Sequence, residues 1–304
     1  MNLSIIIVNW NTRDLLAKCL ASIFAYPPPG EFEVWVVDNA SSDGSINMVS
    51  QEYLQVRLIR NSSNLGFARA NNQAIRQSLG RYTLLLNPDT ELTSVAFQKM
   101  VDFMDAAPEA GAAGPRLLNP DGAFQVSCYP SPTLAREFWR LFHLDKITPY
   151  GVYPMQRWNQ VRPTQVEVVQ GACLILRKEA LDQVGLLDEE YFIYSEEVDL
   201  CYRLKKSGWQ IFWLPEAEVV HHGGQSTRLA SEEMFLNLYQ SKVHFFRKNF
   251  GWLHAFSYKL ILLLAATARV STAPAARLIR FSQGTELQNI ADNYRRLLIA
   301  LLRL

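Results

Sequence analysis

The chain has 304 residues, of which 49% are hydrophobic, and its formal net charge is +1. This length fits one large domain or a domain plus an appendage, and the near-neutral charge excludes proteins that coat nucleic acid with a basic field. The four cysteines lack Cys-x-x-Cys spacing and the N-terminus lacks a basic region and a cleavage site, so a cytoplasmic protein with free thiols is expected.

The first third alternates short apolar runs with helix-periodic segments. Strands covered on both faces are predicted at Leu3–Val8, Val34–Val37, Val56–Ile59 and Tyr82–Leu86. Helices are predicted at Asp14–Phe24, Ser45–Tyr53 and Ala68–Leu79. This order predicts an α/β fold with a doubly wound, mostly parallel sheet, which binds ligands at the carboxyl ends of its strands. Polar residues occupy those ends: Asn9, Asp38, Asn39, Asn61 and Asp89.

Two segments between these strands suit a nucleotide. Asp38 leaves its strand directly, and its carboxylate can accept hydrogen bonds from a base imide or a ribose hydroxyl. In the segment Asn64–Asn72, Gly66 permits a tight turn and Arg69 adds a positive charge at a helix N-terminus, where anions bind. Asn71 and its neighbour Asn72 are poor helix formers, which favours a binding role over a purely structural one.

Asn87-Pro88-Asp89 follows the fourth strand. A carboxylate at this central position can join a divalent cation to a diphosphate, so Asp89 is predicted to bind metal. A helix cap is the structural alternative for this turn.

From about Pro108 to Tyr153 the pattern loosens and predicts long loops. Order returns with a strand at Val166–Leu176, a helix at Val198–Lys206 and a strand at Trp209–Trp213.

Glu196, Glu197 and Asp199 crowd three carboxylates into four residues at a helix start. Such acidic first turns commonly serve the helix dipole. Carboxylates this close also raise one another's pKa, as a general base near neutrality requires. Asp199 is expected to pair with Arg203 one turn later.

His221 and His222 leave the last predicted strand ahead of Gly223 and Gly224. Neighbouring extended residues face opposite ways, so only one of the two histidines can point into a given site. His221 is the preferred ligand.

The tail contains the apolar run Leu260–Ala266 between Lys259 and Arg269, a stretch too short to span a bilayer. Arg277 and Arg280 follow. One helical stripe near the end holds Leu287, Ile290, Tyr294, Leu297, Leu298 and Leu301, with Arg295, Arg296 and Arg303 elsewhere on the helix. Packing on the catalytic domain or a second copy of the chain is one fate of such a stripe, and contact with an anionic membrane surface is the other.

Taken in order, these motifs resemble family-2 glycosyltransferases of the GT-A fold, particularly the rhamnosyltransferase-like branch. The matching segments lie at residues 6–11, 36–41, 64–67, 86–90, 171–173, 194–203 and 221–226, and they cover about the first three quarters of the chain. The resemblance implies an inverting hexosyltransferase that moves a sugar, for which rhamnose is a guess, from a nucleotide diphosphate sugar to a hydroxyl of a glycan or lipid-linked acceptor. It also implies polysaccharide biosynthesis at the inner face of the cell membrane.

The resemblance assigns roles residue by residue. It places Asp38 on the nucleotide, with Asn64, Gly66 and Arg69 lining its pocket, and Asn9, Asn71 and Asn87 are included in the donor site. Asp89 and His221 are implied ligands of Mg²⁺ or Mn²⁺, and Glu197 is the implied base with Glu196 in support. The chain departs from the family pattern at Asn87 and Glu197, where relatives usually carry aspartate.

The implied organisation is a catalytic domain at residues 1–250, with a nucleotide-binding half at 1–118 and an acceptor half at 119–250, and a helical tail at 251–304. Two alternatives stay open. A sugar nucleotidyltransferase would show a glycine-rich basic loop after the first strand, and residues 9–13 are neither glycine-rich nor basic. A catalytically inactive nucleotide-sugar-binding scaffold is supported only by the changed base motif.

Overall fold

A computed structural model describes residues 1–223, 231–279 and 284–301 of the chain. The motif residues Gly224, Gln225 and Ser226 and the tail residues Arg280 and Arg303 lie outside the described residues. The side chains of Arg277, Leu287 and Ile290 also lie outside them.

The strands are β1 Leu3–Asn9, β2 Phe32–Asp38, β3 Arg57–Arg60, β4 Tyr82–Leu86, β5 Thr90–Leu92, β6 Ala110–Leu118, β7 Phe124–Gln125, β8 Cys128–Tyr129, β9 Thr164–Gln165, β10 Val168–Val169, β11 Cys173–Arg177 and β12 Gln210–His221. The helices are α1 Arg13–Ala25, α2 Ser45–Glu52, α3 Phe67–Ile75, α4 Ala96–Ala106, α5 Leu134–Leu141, α6 Lys178–Val184, α7 Glu196–Lys206, α8 Ser231–Phe250, α9 Trp252–Ile279 and α10 Gly284–Leu301.

The main sheet has the strand order β3-β2-β1-β4-β11-β6-β12-β5. Strands β3, β2, β1 and β4 pair in parallel, and β12 pairs in parallel with β6. Strand β11 is antiparallel to both β4 and β6, and β5 is antiparallel to β12. The predicted α/β fold with a mostly parallel sheet is confirmed, and the sequence did not reveal that β5 and β11 are reversed within this order.

Apolar side chains cover both faces of this sheet. In β1, Leu3, Ile5 and Ile7 pack in one core cluster with residues of α1, α2 and α4. Ile6 and Val8 pack in the other cluster with residues of α3, α6 and α7. Because successive strand residues point to opposite faces, a largely apolar strand such as β1 suits a sheet covered by helices on both faces.

Three predicted elements need correction. The third strand is not covered on both faces: Arg57 and Arg60 are exposed at the sheet edge. The third helix ends at Ile75 rather than Leu79. The strand predicted at Val166–Leu176 is two strands, β10 and β11, separated by a turn at Gly171.

The predicted loop region from Pro108 to Tyr153 contains a nine-residue strand, β6, in the middle of the sheet. Its sequence is rich in alanine and glycine, which are depleted in strands, so the prediction missed it. The structure explains the small residues: a Cβ added at Gly114 would lie 2.1 Å from Cγ1 of Val169, and one at Gly111 would lie 2.8 Å from Cβ of Trp209.

The chain forms two compact units. The first contains Met1–Ser131, Tyr153–Phe192 and the described residues from Glu196 to Gly223, and therefore the main sheet. The second contains Pro132–Val152, Ile193–Ser195 and the helices after residue 230. In the second unit, a buried ion pair joins Glu137 of α5 to Lys242 of α8 at 2.7 Å, and the hydroxyl of Tyr258 donates to the same carboxylate.

The last helix, α10, packs in part against α8. In α10, Tyr294 and Leu297 are buried, and the hydroxyls of Tyr294 and Tyr239 are 3.1 Å apart. Helix α9, in contrast, contains Trp252–Thr272, which is long and apolar enough to cross a membrane and has 28% of its most apolar window buried. The run Leu260–Ala266, which alone is too short to span a bilayer, lies inside this longer segment.

Candidate active site

The end of β12 brings a histidine to the carboxylate that follows β4. In the antiparallel ladder His221 pairs with Thr90, and the backbone N–H of His222 donates to the carbonyl of Asp89 at 2.9 Å. Nε2 of His221 lies 3.4 Å from Oδ1 of Asp89, and both side chains are buried. The ladder thus joins two predicted metal ligands from distant parts of the sequence.

The neighbouring histidine is directed elsewhere. Nε2 of His222 lies 2.7 Å from Oε1 of Glu91, which is a separate acid–base contact. His221, and not His222, faces Asp89, as the alternation of side chains along a strand requires.

The Asp89–His221 pair fits a divalent cation. Nε2 of His221 is buried and makes no hydrogen bond among the described residues, although it faces a carboxylate. An unpaired buried nitrogen is costly unless a ligand satisfies it. No three histidine, cysteine or acidic side chains form a cluster in the described part of the chain, so this pair would share a cation with a diphosphate and water, as Mg²⁺ sites commonly do.

Asn87 lies beside this pair, directly after β4. Its backbone N–H donates to the carbonyl of Ala172 at 2.9 Å, and its side chain is half-buried. The amide replaces the first aspartate of the family pattern, so it keeps an oxygen for a ligand and removes one negative charge from the site.

Glu196 and Glu197 begin α7 with an unusual environment. Glu196 is 5% exposed, and burial together with the neighbouring Glu197 raises the pKa of its carboxyl. Burial also raises the pKa of Glu197. Each carboxyl has a buried oxygen without a hydrogen-bond partner among the described residues, while Glu197 is half-buried as a whole residue. Glu197 is therefore the more accessible of two carboxyls suited to accept a proton.

The turn before β11 connects Glu197 to Asn87, which lies beside the Asp89–His221 pair. A Cβ added at Gly171 would lie 3.7 Å from Cβ of Glu197, and the next residue, Ala172, accepts the hydrogen bond from Asn87. The predicted base and the predicted donor site thus lie at the same end of the central strands.

The rest of α7 serves structure. Nε of Arg203 lies 2.8 Å from Oδ2 of Asp199, which confirms the predicted pair. The other guanidinium nitrogens donate to backbone carbonyls at residues 184–186. Tyr194 and Ser195 both have positive φ, of 70° and 67°, so the chain enters α7 through a strained left-handed turn.

Asp38 and Asn9 form a buried network at the ends of β2 and β1. Asn9 Nδ2 donates to Oδ2 of Asp38 at 2.9 Å, and the backbone N–H of Ser41 donates to Oδ1 at 2.8 Å. Thr12 donates to Oδ1 of Asn9. Asp38 is 1% exposed, so its carboxylate holds the loops after β1 and β2 in place.

Glycine is required at position 66 because the backbone of Phe192 lies too close for a side chain. The φ of Gly66 is +82°, and an added Cβ would lie 2.4 Å from the carbonyl oxygen of Phe192. The same carbonyl accepts from the N–H of Phe67, and Oδ1 of Asn64 accepts from the N–H of Gly66. Asn64 and Gly66 therefore shape the loop that begins α3, where they were predicted to line the nucleotide pocket.

The polar residues of α3 contact a carboxylate that sequence reasoning missed. Nε of Arg69 lies 3.9 Å from Oε2 of Glu189, and Asn72 donates to Oε1 of Glu189 and to the carbonyl of Leu187. Asn71 is buried, donates to the carbonyl of Phe67, and has an unpaired Oδ1 among the described residues. No spacing or motif in the sequence marks Glu189 as the partner of these side chains.

Comparison with known proteins agrees with this geometry. A sequence model described as Glycosyl transferase family 2 matches residues 4–185. The chain belongs to this family. This glycosyltransferase is 32% identical, over 245 residues, to an N-acetylglucosaminyl-diphospho-decaprenol L-rhamnosyltransferase of Mycobacterium tuberculosis, covering 74% of this chain and 77% of the relative. It is 24% identical to the rhamnosyltransferase WbbL of Escherichia coli, covering 74% and 84% of the two chains. The expected rhamnosyltransferase-like resemblance is confirmed.

Solved structures confirm the GT-A fold of the glycosyltransferase. It is similar to the mannosyltransferase PcManGT from Pyrobaculum calidifontis in complex with GDP-Man and Mn²⁺, with a TM-score of 0.58 and 18% identity over 99% of this chain and 86% of that one. It is also similar to TarS 1-349 of S. aureus, with a TM-score of 0.55 and 15% identity over 100% and 92% of the two chains.

Proposed function

We propose that this glycosyltransferase transfers a sugar from a nucleotide diphosphate sugar to an acceptor hydroxyl with inversion, in cell-surface glycan biosynthesis. The observation that carries the proposal is the Asp89–His221 pair, in which an imidazole nitrogen without a hydrogen bond among the described residues lies 3.4 Å from a carboxylate, together with Glu197 in the first turn of α7.

Glu197 removes the proton from the acceptor hydroxyl as that oxygen attacks the anomeric carbon. Burial raises its pKa, which makes it a stronger base than an ordinary glutamate. Glu196 is deeply buried beside it, and burial together with the charge of Glu197 raises the pKa of its own carboxyl, so we assign Glu196 a supporting role.

Asp89 and His221 hold Mg²⁺ or Mn²⁺, and Asn87 presents an amide beside them. A bound divalent cation supplies positive charge against the diphosphate leaving group. The loops that border the nucleoside are fixed by Asn9, Asp38, Asn64 and Gly66. Arg69 and Asn71, near the start of α3, line the donor site.

The substrates follow from the relatives. One relative is named for a rhamnosyl donor and a diphospho-decaprenol acceptor, so we propose a lipid-linked or glycan acceptor and a nucleoside diphosphate rhamnose as the first donor to test.

A donor panel tests the proposal. The full-length protein should bind one nucleoside diphosphate sugar in calorimetry only with Mg²⁺ or Mn²⁺, and should release nucleoside diphosphate with an acceptor. Release of pyrophosphate from a nucleoside triphosphate and a sugar phosphate would instead identify a nucleotidyltransferase. Donor binding without hydrolysis or transfer to any acceptor would identify a scaffold.

The exposed face of α9 suits a membrane surface. Six large apolar side chains are 45–70% exposed along one side of the helix: Trp252, Leu253, Phe256, Leu260, Leu263 and Leu264. The opposite side buries Tyr258 and Leu262. A contiguous apolar strip of this kind marks an interaction site, and tryptophan favours the membrane–water interface. We propose that α9 binds the inner face of the cell membrane, where a lipid-linked acceptor would lie.

Vesicle binding checks this assignment. The double variant Phe256→Ser, Leu264→Ser should co-sediment at least about tenfold more weakly with vesicles of phosphatidylglycerol and phosphatidylcholine, because two apolar side chains no longer leave water. The matched control, Leu54→Ser with Leu79→Ser, changes two exposed leucines outside α9 and should bind like the unmodified chain. An unmodified protein that ignores vesicles and forms dimers, which the double variant loses, would show that the face binds a second copy instead.

A further inference from the structure

A glutamine from β7 contacts the metal-site histidine on the side opposite Asp89. Oε1 of Gln125 lies 2.7 Å from Nδ1 of His221. Strand β7 reaches this position because Gln125 pairs with Leu117 of β6, the strand next to β12. The two ring nitrogens of His221 therefore have different neighbours, an amide at Nδ1 and a carboxylate at Nε2.

Two acceptors fix the orientation of the Gln125 amide. Its Nε2 donates to Oδ1 of Asn119 at 2.9 Å and, at 3.4 Å, to the backbone carbonyl of His221. A backbone carbonyl can only accept, so the amide nitrogen belongs on that side and the amide oxygen belongs toward the imidazole. The reversed amide would place its oxygen against two other oxygens.

The amide orientation decides which nitrogen of the neutral imidazole carries the proton. Because Oε1 of Gln125 can only accept, Nδ1 of His221 must donate to it. The lone pair then lies on Nε2, the atom that faces Asp89 and has no hydrogen bond among the described residues. With the proton on Nε2 instead, His221 could donate to Asp89 and could not bind a cation there.

We propose that Gln125 is a positioning residue for the metal site. Its amide oxygen accepts a hydrogen bond from Nδ1–H of His221, so that the Nε2 lone pair and Asp89 face one divalent cation. Metal-binding histidines generally donate their second N–H to such an acceptor, which fixes the ring and its tautomer. This inference rests on the proposed metal site, and it gives β7 and Asn119 a function that no sequence motif indicates.

Metal affinity gives the first test. With Mn²⁺ alone, followed by water proton relaxation in the full-length chain, Gln125→Leu should bind about 10- to 100-fold more weakly than the unmodified protein. Gln125→Glu keeps an acceptor for Nδ1–H but places its second oxygen toward the carbonyl of His221, so its affinity should lie between those of Gln125→Leu and the unmodified protein. The matched control Gln165→Leu makes the same change on exposed β9 and should have no effect. Equal Mn²⁺ affinity in Gln125→Leu and the unmodified chain would overturn the inference.

The histidine tautomer gives a second test that needs no metal and no variant of Gln125. In ¹⁵N spectra of the metal-free unmodified protein at alkaline pH, His221, assigned by its loss in His221→Ala, should carry its proton on Nδ1. A proton on Nε2 would refute the role of Gln125 even if Mn²⁺ binds. If Mn²⁺ fails to bind and His221 is nevertheless protonated on Nδ1, the proposed metal site fails and the positioning contact stands.

Discussion

Replacing Glu197 by glutamine should reduce sugar transfer by about 10²–10⁴-fold, the usual contribution of a positioned acid–base group. The amide keeps the shape of the side chain and loses only the ability to accept the proton of the acceptor hydroxyl. Affinity for the metal and the donor should stay close to normal, because Asp89 and His221 are unchanged. Initial rates at saturating donor, together with calorimetric donor binding, separate the two quantities.

The pH dependence of transfer should carry the signature of the same group. Burial raises the pKa of Glu197, so the base is protonated, and the enzyme inactive, up to a higher pH than an ordinary glutamate would give. Transfer should therefore rise with pH through this raised pKa and then level off. In Glu197→Gln the residual rate should lack that acidic limb.

Two further variants interpret the result. Glu196→Gln should lower the rate less, since Glu196 acts through its neighbour, and Glu197→Asp should keep part of the activity on a shorter arm. The matched control is Glu179→Gln, which removes an exposed carboxylate from the first turn of α6. If Glu197 served only the helix dipole, its glutamine variant would behave like this control and transfer at the unmodified rate.

Removing Asp89 should abolish the metal dependence of donor binding. In the unmodified protein, a chelator should weaken binding of the nucleoside diphosphate by about 100-fold or more, because a cation on a diphosphate contributes several kcal/mol. Asp89→Ala should bind that weakly with or without added Mn²⁺. Calorimetry in the presence of Mn²⁺ and of chelator measures both.

The control for this experiment lies two residues away. Glu91→Gln removes the carboxylate that contacts His222 and leaves Asp89 and His221 intact, so its metal dependence should match the unmodified protein. Equal donor affinity with and without chelator in the unmodified chain would mean that Asp89 and His221 serve another purpose.

The strands at the centre of the sheet could be predicted because their chemistry is local. Most residues of β1 and β4 are apolar, as a core covered on both faces requires. The polar residues at their carboxyl ends indicated where in the sheet a ligand binds. β3 was predicted as a strand covered on both faces, although its arginines indicate an edge strand. β6 could not be predicted, since its glycines are explained by Val169 and Trp209, which are distant in sequence.

The candidate site shows the same division. Asp89, Glu197 and His221 could be selected because carboxylates and imidazoles at strand and helix ends carry recognisable chemistry. Gln125 and Glu189 could not, because an amide or a single surface acid acquires a role only from its partners in space. The alternation of β12 placed His221 at Asp89, whereas no sequence rule placed Gln125 behind it.

The ladder between β5 and β12 also has a consequence for biosynthesis of the protein itself. Asp89 leaves the ribosome long before His221, and in between the chain must produce β6, β11 and the helix that carries Glu197. A nascent or prematurely terminated chain can thus complete the loops after β1 and β2 and still lack His221, one of the two proposed cation ligands. If the proposed site is right, only chains that already contain Glu197, the proposed base, can bind the donor through a cation.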